Sequence, residues 1–68
     1  MSEVATREQL TRAETAVLDL VAEGLSTGDV AARLAITVGT VKCHLHHAFA
    51  KLEVRNRIEA VAKAYPQT

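Results

Sequence analysis

The sequence predicts an all-α fold, a compact four-helix domain. Two observations carry that expectation. Apolar residues recur at a spacing of three and four between residues suited to helix capping, and no run alternates apolar and polar positions in the β-branched manner of a strand. The chain has 68 residues, and a chain of that size buries only ~60% of its unfolded surface, so one small core is expected and no separate catalytic domain.

The first helix is expected over 12–23. Thr11 and Glu14 form the T-x-x-E pattern of a capping box, in which each side chain satisfies the other residue's N–H. Ala13, Val17, Leu20 and Val21 would make its inward face, and Gly24 supplies a left-handed stop. The second helix is expected over 27–34, capped by Ser26 with Asp29 three residues on. Leu25 is placed to staple against Val30, and Ala31 and Leu34 extend the buried face.

After a turn of Ala35 to Thr37, a third and longest helix is expected over 38–52. Thr37 is its N-cap, and Ile36 and Val41 repeat the staple spacing. Val41, Leu45, Ala48, Phe49 and Leu52 form its apolar stripe. The opposite side carries Gly39, Cys43, His46 and Ala50, flanked by Lys42 and His47. Asn56 and Glu59 cap a fourth helix over 57–65, with Ile58, Val61, Ala62 and Tyr65 as its apolar residues and Pro66 as its stop. Residues 1–9 read as a flexible N-terminal arm, and 10–68 as the folded domain.

Hydrophobic residues make up 49% of the chain, which argues against disorder, while Phe49 and Tyr65 are the whole aromatic complement. The core is therefore expected to consist of closely packed Ala, Val, Leu and Ile. Cys43 stands alone, so no intrachain disulfide is possible, and a reducing cytoplasmic location is expected. No apolar stretch reaches the length of a membrane span. The formal net charge is zero, but residues 1–34 hold six acids against three arginines, and residues 35–68 hold five bases against two acids, together with every histidine. Such asymmetry suggests an acidic support and a basic working face.

The stretch TVKCHLHH, from Thr40 to His47, admits two chemical readings. Cys43 and His47 lie four apart, and Cys43 and His46 three apart, so pairs could chelate a metal. A structural zinc site needs four ligands, and neither a second cysteine nor a distant histidine exists to complete it, so no metal or other cofactor is expected. Cys43 and His47 drawn as nucleophile and base would lack oxyanion donors, an orienting acid and a pocket, so no enzyme is expected either. The other reading is a surface that touches DNA. A turn as short as Ala35 to Thr37 is compatible with a helix-turn-helix, whose second helix is free to enter a major groove. His46 and His47 would then gain charge on that face in acid, and DNA affinity should rise with them.

From Leu10 to Val61 the chain, LTRAETAVLDLVAEGLSTGDVAARLAITVGTVKCHLHHAFAKLEVRNRIEAV, resembles without a gap the LuxR/GerE-type helix-turn-helix family. That family is the DNA-binding module of quorum-sensing regulators and NarL-type response regulators. The segments T-V-K-x-H (Thr40 to His44), K-L-x-V (Lys51 to Val54) and A-V (Ala60, Val61) carry the likeness. It implies a transcriptional regulator domain whose third helix reads double-stranded DNA, with RNA polymerase as a further partner.

By that resemblance Lys42, Cys43 and His46 face base edges, and Thr40, Lys51 and Arg57 match positions nearer the phosphate backbone or the supporting structure, Thr40 and Lys51 being taken as backbone contacts. His44 falls at a framework position. His47 and Arg55 join the backbone contacts on position and charge. Dimers commonly form through the fourth helix in the family, which implicates Val61, Ala62 and Tyr65 in a weak homodimer on a partly palindromic site. The chain departs from the pattern at Thr27-Gly28-Asp29, where a lysine and an asparagine are lost, and at Val38-Gly39, where charge is lost. The alternative is a protein-interaction or dimerisation module working through the last helix, with degraded DNA binding. Arg57 opens that helix, where its charge opposes the dipole, so it should have a compensating partner.

Overall fold

The computed structural model describes residues 9–65. Four helices follow in order: α1 (Arg12–Ala22), α2 (Thr27–Leu34), α3 (Val38–Leu52) and α4 (Arg57–Ala64). There is no strand among the described residues. The arm expected over 1–9 falls, apart from Gln9, outside the described residues, as does Pro66.

Each helix starts where a side-chain oxygen replaces a missing intrahelical partner. Thr11 Oγ1, Ser26 Oγ, Thr37 Oγ1 and Asn56 Oδ1 accept from the backbone N–H groups of Glu14, Asp29, Thr40 and Glu59, at 3.1, 3.1, 3.1 and 2.9 Å. The box at Thr11 is complete, because its N–H donates to Glu14 Oε1 at 2.9 Å. At α4 the returning glutamate reaches one residue further than the pattern predicts: Glu59 Oε1 accepts from the N–H of Arg55 at 3.0 Å.

The first three helices end alike, in a left-handed residue followed by a pair of crossed hydrogen bonds, the Schellman arrangement. After α1, Gly24 takes φ 98°, and the N–H groups of Gly24 and Leu25 donate to the carbonyls of Val21 and Leu20. After α2, Ala35 takes φ 59°, with Ala35 donating to Ala32 and Ile36 to Ala31. After α3, Glu53 does the same at φ 59°, with donations from Glu53 to Ala50 and from Val54 to Phe49. Only the first of these positions is a glycine.

The α1, α2 and α3 helices meet in a core of Val17, Val21, Val30, Ala31, Val41 and Leu45. Leu25 and Ile36 pack against it, as their staple spacing predicts. A second cluster of Leu18, Leu52, Ala60 and Ala64 joins α1, α3 and α4, and Phe49 and Val61 lie against both. Leu18 and Leu52 are fully buried, each contributing roughly 1.5–3 kcal/mol of hydrophobic stabilisation.

Two faces differ from the sequence expectation. On α1, Ala13 is exposed and Leu20 half-buried, while Glu14 and Leu18 are buried beside Val17 and Val21. The helix is wedged between α3 and α4, so its buried stripe turns toward both. On α4 the small residues Ala60 and Ala64 go inward, Val61 and Tyr65 are half-buried, and Ala62 and Ile58 face outward, Ile58 with 78% of its surface exposed. Alanines let α4 come close to its neighbours, and that approach turns the larger isoleucine out.

Candidate nucleic-acid interface

The three residues Ala35, Ile36 and Thr37 join α2 to α3, and both ends of this joint are fixed. The left-handed Ala35 turns the chain sharply out of α2. Ile36 is held against the core, and Thr37 restarts the helix through its bond to Thr40 N–H. The Thr37 and Thr40 hydroxyls also meet at 2.9 Å. This is a helix-turn-helix, with α3 as its second member.

Burial of Val41, Leu45, Ala48 and Leu52 fixes the rotation of α3 about its axis. It leaves Val38, Gly39, Thr40, Lys42, Cys43, His46, His47, Ala50 and Lys51 exposed, with His44 half-buried at the edge. All three residues expected to read bases, Lys42, Cys43 and His46, therefore share the solvent face with Thr40 and His47. Cys43 Sγ lies 3.9 Å from His47 Nε2, and the rings of His46 and His47 are tilted with centroids 6.1 Å apart. Among the described residues no three His, Cys, Asp or Glu side chains come together as a metal site.

The basic half of the chain is spent more heavily inside the fold than its composition suggests. Lys51, expected on the phosphate backbone, donates from Nζ to Glu14 Oε1 at 2.8 Å and ties α3 to α1. Glu14 is buried. Burial by itself raises its pKa, but the hydrogen bonds from Lys51 and from Thr11 N–H, with the charges of Lys51 and His47, outweigh it and hold the carboxyl below the ordinary glutamate value. Lys63 donates to the Leu52 carbonyl at 2.7 Å, closing the C-terminus of α3 from α4. Arg57 finds its partner in the Leu25 carbonyl at 3.5 Å, in the turn after α1. Lys42 and the Arg55 side chain form no such bond among the described residues, and Arg55 sits in the exposed loop after α3.

The paired roles of Glu14 and Lys63 escape sequence reasoning. The capping pattern identifies Glu14 as a local helix-end residue, and only the crossing of α1 over α3 gives it Lys51. Lys63 lies at the surface-facing position of a short helix in sequence terms, and only the approach of α4 to the end of α3 supplies its carbonyl.

The residues expected at the dimer contact are divided. Ala62 is exposed, whereas Val61 and Tyr65 pack partly against the core, and Ile58 adds an exposed apolar side chain one turn before Ala62. No helix among the described residues is long and apolar enough to cross a membrane.

A profile of the bacterial regulatory proteins of the luxR family matches residues 8–64 of this chain. The chain is 46% identical over 55 residues to the transcriptional regulatory protein DesR of Bacillus subtilis, covering 81% of this chain and 28% of that protein. It is 41% identical over 58 residues to the response regulator protein VraR of Staphylococcus aureus, covering 85% of this chain and 28% of that protein. The chain thus spans little more than a quarter of these relatives.

Proposed function

The chain belongs to the luxR family of bacterial regulatory proteins, as a helix-turn-helix DNA-binding regulator domain, and on that footing we propose how it engages its operator. α3 enters the major groove. Lys42, Cys43 and His46 contact base edges: Lys42 donates to guanine O6 and N7, and the small Cys43 touches a thymine methyl. Thr40, His47 and Arg55 fix the frame on phosphates. Lys51 acts first as the strut between α3 and α1 and adds to the backbone contacts only through donors that Glu14 leaves free.

Two copies bind a partly palindromic site as a weak homodimer through the outer face of α4, where Ile58 and Ala62 lie beside the half-buried Val61 and Tyr65. A two-fold protein places its half-sites at a fixed spacing. The observation that carries the reading is the division of α3 into a buried apolar side and an open side holding Lys42, Cys43 and His46, immediately after a three-residue turn.

A second reading has its own support. Lys51, Arg57 and Lys63 are engaged within the domain, and Ile58 is 78% exposed, which would suit a module whose main contact is apolar and runs through α4. Selection of bound duplexes from a random-sequence pool, with salt dependence measured in parallel, separates the two. An inverted-repeat motif whose affinity falls steeply with salt supports the operator reading. A folded domain that enriches no sequence supports the interaction module.

A further inference from the structure

The most conspicuous apolar side chain near the reading face is Val38, the first residue of α3. It is one of only two large hydrophobic residues exposed among those described, with 39% of its surface accessible. Every other large apolar residue of α3 is buried or half-buried. Val38 also heads the ridge that continues, at i+4 and i+8, through Lys42 and His46. In a helix-turn-helix it is the N-terminal residues of the second helix that contact base edges. Side chains on a helix lean toward its N-terminus, so Val38 projects ahead of Lys42 toward whatever the helix end meets.

A Cβ built at the neighbouring Gly39 would meet only Thr37 Oγ1, at 3.8 Å, so no side chain at position 39 stands between the first turn and a ligand. The first turn thus presents an isopropyl group beside the paired Thr37 and Thr40 hydroxyls. An apolar group exposed at a groove has one strong complement there, the C5-methyl of thymine, which is the only apolar group a base pair shows in the major groove.

We propose that Val38 is a specificity-determining residue that reads a thymine methyl in each half-site, next to the base pair contacted by Lys42. The inference rests on the operator reading above. It assigns to the first turn of α3 a preference based on shape and desolvation, separate from the hydrogen-bonding contacts of Lys42 and His46. Cys43, a quarter-turn or more around the helix, addresses a different base.

The test uses the full chain and the duplex it enriches from a random pool. Each thymine of the half-site is replaced in turn by uracil, which keeps the Watson–Crick edge and removes only the methyl. For the unaltered chain, one thymine beside the Lys42-dependent pair should lose about four-fold in affinity per half-site on replacement, the factor that burying one such group amounts to. In Val38→Ala that thymine and its uracil should bind equally, and in Cys43→Ser the loss at that thymine should remain. Val38→Thr, which keeps the β-branched shape and replaces one methyl by a hydroxyl, guards against an effect of altered helix packing and should also blunt the discrimination. Persistence of the uracil penalty in Val38→Ala, or an enriched operator indifferent to uracil at every position, overturns the inference alone. Failure to enrich any sequence overturns the operator reading and this inference with it.

Discussion

Lys51 Nζ stands 2.8 Å from Glu14 Oε1, joining the last turn of α3 to the first turn of α1 across 37 residues of sequence. The carboxylate side chain is 5% exposed and the ammonium side chain 39%. Truncating the lysine therefore leaves a buried charge with a single backbone donor. Lys51→Met should destabilise the domain by about 1–2 kcal/mol, less than a wholly buried pair because the ammonium is partly solvated. Thermal unfolding measures this, and the salt slope of operator binding should fall only slightly; a clearly reduced slope with unaltered stability would make Lys51 chiefly a phosphate contact.

The same pair gives the domain an acid limit. The Glu14 pKa is lowered on folding, so its contribution to stability is complete above the ordinary glutamate value of 4.5 and is lost as pH falls through the lower folded value. Melting temperature followed against pH should fall through that range more steeply for the unaltered chain than for Glu14→Gln. Parallel curves would show that Glu14 is not the group responsible.

Two helix ends carry removable strain. Ala35 and Glu53 hold φ 59°, a conformation that costs an L-residue roughly 1 kcal/mol and glycine almost nothing. Ala35→Gly and Glu53→Gly should each stabilise the domain by about 0.5 kcal/mol after the entropic penalty of glycine in the unfolded chain, and the two should add because the sites share no partner. Gly24→Ala, at φ 98°, should destabilise by about 1 kcal/mol. Denaturant midpoints at constant m-value provide the check.

Electrostatic binding should be shallow for a DNA-binding domain. With Arg55 as the basic side chain that each protomer sets on phosphate, a dimer neutralises about two phosphates, and log affinity against log salt should have a slope near −2. Lys42→Ala should leave that slope near −2 while relaxing specificity at one base pair, as a guanine contact requires; a slope near −4 that falls toward −2 in the variant would place Lys42 on phosphate instead. Either result assigns the lysine.

Association through α4 should depend on Ile58 more than on Tyr65. Ile58 is 78% exposed, so Ile58→Asp should leave the unfolding free energy within about 0.5 kcal/mol of the unaltered chain while shifting sedimentation to the monomer and weakening binding to a two-half-site duplex. Unchanged association would place the contact elsewhere.

What the sequence determined by itself was the local chemistry. The caps Thr11, Ser26, Thr37 and Asn56, the glycine stop at 24 and the apolar stripe of α3 each depend on residues within a turn or two of one another, so helix starts and the open face holding Lys42, Cys43 and His46 were legible without coordinates. Tertiary structure decided what depends on how helices cross. It turned Ile58 out and Ala60 and Ala64 in, because close helix approach selects small side chains over the most apolar ones. It buried Glu14 against Lys51 and sent Lys63 to the end of α3, because a charge finds its partner by distance in space, which periodicity along a chain does not encode.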